Sequence, residues 1–415
     1  MMEASRKSRP SRPSPTHANT GVTRVSSKRK CLICGRPDWC GYTADGQLSF
    51  CMRISAGSVK TAENGAYIHV HGVTATPAPS NGSRPRRRAN KPTLPVAPLE
   101  VRDAVYRELI RLSPCTLYPE LIEGKNGLRS RGLLPEDFAN FGSLPASPSG
   151  RAALARELRM FVRSLFPRYA EETAYAGVVG VPGFWQDTFG AVQLWLSYEE
   201  SGPMLLIPYR DGEGHIQACQ LRRSGEIPDK VDRYTWLSTP KKNKGVSSGT
   251  PIHFTFSPGE CAADSPILIT EGALKATAFR RLRPLAYVLA TSGVTCSHRE
   301  LVEATRGRKA LIAFDADHRT NMAVCRQIAR LVAARALDAA EHGHEAPSRV
   351  VVWDTVPGRK DKGVDDAALL QIQLKSLHPF DWHRTLQQPS FDEVNLVWSE
   401  AGFNASSFDK TQEAA

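Results

Sequence analysis

The chain has 415 residues, enough for two to four domains, and its 41% hydrophobic and 23% charged residues are typical of a globular protein. It contains no run of 18 apolar residues, so a membrane-spanning helix is not expected. The whole formal net charge of +12 comes from residues 1–92, which hold 16 basic and 4 acidic side chains, because residues 93–415 hold 38 of each.

The basic character of the N-terminal quarter favours nucleic acid as a partner, although a solvated tail without a partner would have the same composition. The first residues lack the apolar segment of a secretory signal, so a cytoplasmic protein is expected. In that compartment the nine cysteines are expected to be reduced or bound to metal.

Residues 1–30 are rich in Ser, Arg, Lys and Pro and are predicted to form a disordered basic tail. A cysteine cluster defines a predicted zinc-binding module at 31–72. Its spacing is C-x2-C-x5-C-x10-C, and four thiolates so placed can close a tetrahedral Zn²⁺ shell. Four unrelated buried cysteines are the alternative, which the concentration of four of the nine within 21 residues disfavours. The predicted ligands are Cys31, Cys34, Cys40 and Cys51.

Several side chains near this cluster have more than one interpretation. His69 or His71 in the segment YIHVH can replace one cysteine ligand, or can belong to the surface of a strand. Trp39 and Tyr42 can stack on bases, or can fill a very small core. The dispersed remaining cysteines are predicted to be buried structural thiols: Cys115, Cys219, Cys261, Cys296 and Cys325.

Residues 73–98 are predicted to form a flexible, basic, Pro-rich linker. A helical segment is predicted over 99–174, where LEVRDAVYRELIRL places Val101, Val105 and Leu109 at helical spacing. Short strands with tight turns follow over 175–262, including a hairpin at 211–214. This region is predicted to be a basic, β-rich subdomain.

Strands and helices alternate over 263–376, beginning with the strand PILIT and the helix GALKATAFRRL. This order predicts an α/β domain with a parallel sheet and helices on its faces. Residues 377–415 give no clear signal and are expected to be a poorly defined C-terminal tail.

Acidic residues follow three strands of the predicted parallel sheet. Glu271 ends the first strand, Asp315 and Asp317 end the strand ALIAF, and Asp365 follows the strand VVVWD after a loop. Because the carboxyl ends of parallel strands converge, we expect these carboxylates to face one pocket.

The spacing of Asp315 and Asp317 points both carboxylates the same way in an extended chain. They can then share a hard divalent cation, Mg²⁺ or Mn²⁺, and a third acid can act as a general base. For Glu271 alone, a helix-start acid favoured by the helix dipole is an equally good interpretation.

The joint pattern of ITEGALKATAF, LIAFDADHRTN and KDKGVDDAALL, covering roughly residues 265–375, resembles the Toprim domain. The resemblance implies Glu271 as general acid/base, and Asp315 and Asp317 as Mg²⁺ ligands. Asp365 is implied as a further catalytic acid and, like Glu271, as a candidate metal ligand. Lys275, one helical turn after Glu271, either pairs with it or faces phosphate.

Two further regions resemble parts of DnaG-type primases. The cysteine cluster is similar to the N-terminal zinc ribbon that primases use to read template DNA, although the usual spacing differs and often contains a His ligand. The segment IPYRDGEGHIQACQLRR resembles the basic subdomain that precedes Toprim in the primase core. The candidate nucleic-acid-binding and nucleotide-binding residues there are Arg222, Arg223, Lys230, Arg233, Lys241, Lys242 and Lys244.

Among these cations, Arg222 and Arg223 are favoured because they end a strand that should lie beside the acidic pocket. Lys241 to Lys244 fit an ordinary charged loop equally well. All of them could hold triphosphate or template backbone if they face the pocket.

The order of zinc module, linker, helical segment, basic subdomain and Toprim domain implies a DNA primase, of the kind carried by plasmids, phages or integrative elements. Such an enzyme makes short primers from nucleoside triphosphates on a single-stranded DNA template by metal-dependent nucleotidyl transfer. No helicase domain is recognisable, so a separate replicative helicase is expected as a partner. The alternatives are a non-catalytic zinc/Toprim DNA-binding protein in recombination or repair, and a Toprim nuclease.

Overall fold

The computed structural model describes residues 22–71 and 94–403, apart from positions 28, 38, 44–47, 63–64, 172–176, 196–201, 226, 228–230, 346, 357 and 360. The chain divides into two compact units, Met1–Arg87 and Arg88–Ala415. Most of the predicted tail (1–30) and linker (73–98) lies outside the described residues, as does the end of the chain from 404.

The first unit is built on a five-stranded antiparallel sheet in the order β1-β2-β3-β5-β4. Its strands are β1 (Val22–Arg24), β2 (Gly41–Thr43), β3 (Leu48–Cys51), β4 (Lys60–Thr61) and β5 (Tyr67–Val70). Such short strands enclose little apolar volume, and the buried cluster of this unit contains Val25 and three cysteines. A core of this size usually needs a metal or cross-links for stability.

The second unit begins with helices α1 (Leu99–Leu112), α2 (Pro119–Ile122), α3 (Pro148–Leu165) and α4 (Pro167–Glu171). Three short 3₁₀ helices lie between α1 and α3, at Cys115–Leu117, Arg129–Arg131 and Pro135–Asn140. Helix α3 begins at a capped N-terminus, where Ser147 accepts a hydrogen bond from the Gly150 N–H (3.1 Å) and Pro148 occupies the first turn.

A four-stranded antiparallel sheet follows in the order β11-β10-β9-β6. It consists of β6 (Gly142–Leu144), β9 (Met204–Arg210), β10 (Ile216–Arg223) and β11 (Tyr234–Trp236), and β7 (Phe184–Gln186) pairs separately with β8 (Val192–Leu194). The hairpin predicted at 211–214 is present, with Asp211 N–H donating to the His215 carbonyl at 3.0 Å.

The antiparallel sheet and the preceding helices share one hydrophobic core. Val105 of α1 and Leu158 of α3 pack with Leu206 of β9 and Ile216 of β10. In addition, β6 comes from the segment expected to be helical and pairs with β9. The expected boundary near residue 174 therefore does not separate two cores. The sequence did not predict β6, because a strand of three residues has too few positions for a recognisable period.

The C-terminal half contains a six-stranded sheet in the order β12-β14-β13-β15-β16-β17. The strands are β12 (His253–Phe254), β13 (Ile267–Glu271), β14 (Tyr287–Thr291), β15 (Ala310–Ile312), β16 (Ser348–Val352) and β17 (Lys375–Leu377). The central four are parallel and the two edge strands are antiparallel. This sheet is called the parallel sheet below, and the predicted α/β class is confirmed.

Helices cover both faces of the parallel sheet. They are α5 (Ala273–Leu282), α6 (His298–Ala304), α7 (Met322–His342) and α8 (Val364–Leu369). Alternation along β13 divides the core, because Ile267 and Ile269 pack in the cluster of α7 while Leu268 packs in the cluster of α5 and α8.

Helix α5 also contacts the antiparallel sheet. Leu205 and Tyr209 of β9 share a buried cluster with Ala273 and Leu274 of α5. The Tyr209 hydroxyl oxygen accepts a hydrogen bond from the Ala273 N–H at 3.4 Å. The two sheets are thereby fixed to each other next to the carboxyl end of β13.

The region from residue 377 differs from the expected poorly defined tail. It contains α9 (Pro379–Arg384) and α10 (Ser390–Glu400), and their buried Trp382, Val394 and Trp398 pack in the cluster of α7. Helix α9 is too short to show a helical period in the sequence. The apolar positions of α10 were not assigned to a helical period.

Among the described residues, none of the helices has both the length and the apolar character required to cross a membrane.

The docking of α10 predicts that Trp398→Ala destabilises the second unit. The Trp398 side chain is fully buried, and its indole N–H donates to the Ala329 carbonyl of α7 at 3.2 Å. We expect the free energy of unfolding to fall by about 3–5 kcal/mol in urea denaturation followed by circular dichroism. The control Phe189→Ala removes an aromatic ring that is 93% exposed and should change it by less than about 0.5 kcal/mol. Equal effects of the two changes would contradict the docking of α10.

Candidate active site and zinc centre

Glu271 is the last residue of β13 and precedes helix α5 by one glycine. Gly272 has φ of +86°, a conformation that side chains other than glycine rarely adopt, and its N–H donates to the Thr291 carbonyl at the end of β14 (2.6 Å). Gly272 occupies the N-cap position of α5, and the first helical N–H, that of Ala273, donates to the Tyr209 hydroxyl and not to Glu271. The interpretation of Glu271 as a capping acid is therefore not supported.

Asp315 and Asp317 follow the neighbouring strand β15. The chain stays in register after the strand, with Ala313 N–H donating to the Ile269 carbonyl at 2.8 Å, and Asp315 then leads into a 3₁₀ turn, Ala316–Arg319. These two aspartates and Glu271 are called the acidic cluster below. Both aspartates are close enough to raise the pKa of the Glu271 carboxyl group.

Two lysines accompany the acidic cluster. Lys275 of α5 forms an ion pair with Asp315 Oδ1, and its side chain is 19% exposed. Lys362, in the loop before α8, places Nζ 2.9 Å from Asp317 Oδ2 and 3.5 Å from Asp315 Oδ2, and its side chain is 58% exposed. Burial alone would lower the pKa of Lys275, but Asp315 and Glu271 outweigh it and raise that pKa.

The carboxyl group of Glu271 experiences opposing influences. Its burial raises the pKa, Lys275 lowers it, and Asp315 raises it again, so the net pKa lies above the ordinary value. A carboxyl group in this environment holds its proton to a higher pH than a solvated glutamate does.

Asp365 lies in the first turn of α8, is only 1% exposed, and forms a buried ion pair with Arg131. Burial would lower the pKa of Arg131, but the Asp365 carboxylate outweighs it and raises that pKa. Asp365 and Lys275 both lie close to Gly363. A Cβ added at Gly363 would be 2.5 Å from Asp365 Oδ1 and 3.4 Å from Lys275 Cε, so the two side chains are close to each other. The structure thus places Asp365 beside the acidic cluster, with its charge directed to Arg131.

The donor atoms of Asp315 and Asp317 fit a divalent cation. Asp317 Oδ1 is buried and has no hydrogen-bond partner among the described residues, an unfavourable state that an oxygen-binding ion would relieve. Hard carboxylate oxygens are the ligands that Mg²⁺ and Mn²⁺ prefer.

A cavity of about 500 Å³ opens between the two sheets and is lined by Glu271, Lys275 and Asp315 on one side. The other side carries three arginines, called the arginine cluster below: Arg131, Arg222 and Arg233. Each of the three has a buried side-chain nitrogen without a hydrogen-bond partner in the described part of the chain. Burial lowers the pKa of Arg222, and the ring of the neighbouring Tyr234, 5.9 Å from the guanidinium, faces it.

The other predicted cations are placed differently. Arg223 donates to the Asp232 carbonyl and is not among the residues that line this cavity. Lys241, Lys242 and Lys244 also do not line it. Lys242 instead lies 5.1 Å from the centre of the Trp185 ring on β7.

Lys230 lies outside the described residues.

Three residues of the site were not found by sequence reasoning: Arg131, Tyr234 and Lys362. Lys362 belongs to the KDKGVDD segment, three residues before the predicted Asp365, so its place in that segment is a signal for it. Arg131 comes from an isolated 3₁₀ turn far away in the sequence and carries no recognisable pattern.

The four cysteines of the first unit converge. The sulfur atoms of Cys31, Cys34, Cys40 and Cys51 all lie within 4.8 Å of one another. A tetrahedral zinc shell with Zn–S bonds of about 2.3 Å requires sulfur separations of nearly 4 Å, so this donor set fits zinc. Among the described residues the sulfurs also receive backbone N–H groups, for example Ile54 N–H to Cys51 Sγ at 3.3 Å.

The two histidines of this unit make other contacts. His69 Nε2 lies 2.8 Å from the Ile54 carbonyl, and His71 Nε2 lies 2.7 Å from Ser49 Oγ. The convergent group of ligand atoms contains only cysteines. Trp39 is 70% exposed, while Tyr42 lies under the Arg29 guanidinium at 3.7 Å, so only Trp39 presents an open ring.

Comparison with known proteins finds no matching family model and no matching curated sequence. Solved structures of similar fold include the zinc-binding and RNA polymerase domains of Aquifex aeolicus primase, with 15% identity, 77% of this chain and 74% of that chain covered, and a TM-score of 0.43. The RNA polymerase domain of Mycobacterium tuberculosis primase DnaG has 14% identity, coverages of 76% and 96%, and a TM-score of 0.45. A DNA primase domain from Pseudomonas aeruginosa has 15% identity, coverages of 76% and 100%, and a TM-score of 0.43.

The cysteine geometry predicts one bound Zn²⁺ per chain. Replacing Cys51 by Ser should reduce the bound zinc to near zero, because a three-thiolate shell with a neutral hydroxyl binds the ion far more weakly. Atomic emission spectroscopy of the purified protein measures this. The control Cys261→Ser alters a buried thiol of the second unit and should leave one zinc per chain. Zinc retained in full by Cys51→Ser would remove Cys51 from the ligand set.

Proposed function

We propose that this protein is a DNA primase, which joins nucleoside triphosphates into short primers on a single-stranded DNA template. The observation that supports this most directly is a cavity between the two sheets that has Glu271 and Asp315 on one side and the arginine cluster on the other. A nucleoside triphosphate with its divalent ion requires both kinds of partner, carboxylates for the metal and guanidinium groups for phosphate oxygens.

The unpartnered arginine nitrogens add a second line of support. Buried donors without an acceptor are rare in proteins and costly, and an anion entering the cavity would satisfy those of Arg131, Arg222 and Arg233. The cavity volume of about 500 Å³ is suitable for a ligand of nucleotide size. The resemblance of the surrounding sequence to the Toprim domain supports the same chemistry.

In the proposed reaction the arginine cluster binds the triphosphate and orients it toward the ends of β13 and β15. Asp315 and Asp317 hold the divalent ion, which when bound neutralises phosphate charge and lowers the pKa of the attacking 3′-hydroxyl. Glu271 accepts the proton of that hydroxyl as general base. Lys275 keeps Asp315 in place through their ion pair.

The remaining roles of the proposal concern partners. The zinc module, with the exposed ring of Trp39, contacts the single-stranded template, where stacking on a base is favourable. A separate replicative helicase opens the duplex. The unusual cysteine spacing supports an origin in a mobile genetic element such as a plasmid or phage.

The proposal predicts that the protein makes short labelled products from single-stranded DNA, nucleoside triphosphates and Mg²⁺. Glu271→Gln should lower the rate at least about 100-fold, because the amide cannot accept the proton, while binding of the DNA stays unchanged. Gel electrophoresis of the products and fluorescence anisotropy of labelled DNA measure the two properties. Glu341→Gln, which alters an exposed glutamate at the end of α7, is the control and should leave the rate unchanged.

The outcomes separate the candidate functions. Wild-type protein that binds DNA and makes no product would exclude the primase and leave a DNA-binding protein of recombination or repair. Shortening of the template under the same conditions would instead indicate a nuclease. Full activity of Glu271→Gln would remove Glu271 from the mechanism.

The cavity geometry predicts that Arg233→Ala raises the KM for nucleoside triphosphate by about 10- to 100-fold, the usual effect of losing a hydrogen bond to a charged group. Steady-state kinetics at varied triphosphate concentration measure it. Lys241→Ala is the matched control, because Lys241 is exposed and does not line the cavity, and its KM should change less than about twofold. Equal increases in KM for the two variants would show that a position in the cavity lining does not distinguish the cations that bind the triphosphate.

A further inference from the structure

The two lysines at the acidic cluster differ in how firmly they are held. Lys275 projects from the first turn of α5, its side chain is 19% exposed, and a Cβ added at Gly363 would be in ordinary van der Waals contact with its Cε, at 3.4 Å. Lys362 projects from a loop, and its side chain is 58% exposed. The first ammonium group is thus built into the site, whereas the second can exchange with cations from solvent.

These lysines occupy different oxygen atoms. Lys275 contacts Asp315 Oδ1, while Lys362 bridges Asp315 Oδ2 and Asp317 Oδ2. Only the position of Lys362 lies between the two aspartates, and this is the position that a shared divalent ion would need. Asp317 Oδ1, which has no partner among the described residues, adds one more free ligand atom.

The fourth carboxylate is already neutralised. Asp365 forms a buried ion pair with Arg131, so its charge is balanced without an added ion. The ammonium group of Lys275 is paired with Asp315 Oδ1 and also interacts favourably with the charge of Glu271, so it offsets negative charge that a second cation would otherwise balance. A like charge so close would repel a second divalent ion.

We propose that Lys275 acts as a resident cation, so that the acidic cluster binds one divalent ion and not two. That ion displaces Lys362 from Asp315 Oδ2 and Asp317 Oδ2, while Lys275 remains on Asp315 Oδ1. The inference shares with the proposed function only the assignment of Asp315 and Asp317 as metal ligands, and it requires no primer synthesis.

The test counts Mn²⁺ ions bound to the full chain loaded with zinc, by electron paramagnetic resonance of free Mn²⁺. The double variant Asp315→Asn/Asp317→Asn gives the background, which includes any ion at the separate surface group Asp338, His342 and His344. Above that background, the wild type should bind one ion per chain and Lys275→Met two. Lys275→Arg, which restores the positive charge, should return the number to one.

Lys362→Met is the matched control for removing a lysine. It should still bind one ion, with a dissociation constant about two- to fivefold lower, because the ion no longer competes with an exposed ion pair. Two ions in the wild type, or one ion in Lys275→Met, would overturn the inference. If Lys275→Met is unfolded without metal, the rise in melting temperature on addition of Mn²⁺ is compared between Lys275→Met and Lys275→Arg. A rise for Lys275→Met that is no larger than that for Lys275→Arg would overturn the inference.

The results separate the two proposals. A chain that binds one Mn²⁺ through Asp315 and Asp317 but makes no primer contradicts the proposed function and leaves the role of Lys275 intact. A chain that makes primers while binding two ions contradicts the role of Lys275 alone.

Discussion

The site depends above all on the packing of helix α5 between two sheets. One side of α5 packs in the core of the parallel sheet, and the other side meets Leu205 and Tyr209 of β9. This contact brings strand β10, with Arg222, next to the strand end that carries Glu271. Small residues such as Ala273 allow the close approach, since a larger side chain would force the sheets apart. The charge pattern of the cavity is thus a consequence of apolar packing.

The sequence was most informative where a local pattern coincided with a rule of topology. Alternating strands and helices predicted the parallel sheet, and the carboxyl-end rule then predicted that Glu271, Asp315 and Asp317 would meet. The four cysteines are similar in kind, because ligand spacing is itself a local pattern. In each case the residues that meet are either close together in the sequence or at the ends of neighbouring parallel strands, so the sequence is enough to predict that they meet.

Other features depend on contacts that no local pattern encodes. Arg131 reaches Asp365 from a distant 3₁₀ turn, and β6 joins the antiparallel sheet with only three residues. Among the described members of the predicted cationic set, Arg222 and Arg233 line the cavity, while the favoured Arg223 and the lysines of the loop do not. Tertiary packing decides whether a charged side chain faces the cavity or the solvent, and the composition of a segment does not predict this.

The shared core of the helical segment and the antiparallel sheet has a consequence for how sequence change can act on this protein. Val105 of α1 lies in the same cluster as Leu206 of β9, and β9 in turn supports α5. Loss of packing at Val105 would therefore weaken the contact between β9 and α5 next to Glu271, although Val105 and Glu271 are far apart in the sequence. The acidic and cationic sides of the cavity therefore rest on adjoining apolar clusters that share β9, so a substitution in the core of one side is transmitted to the other.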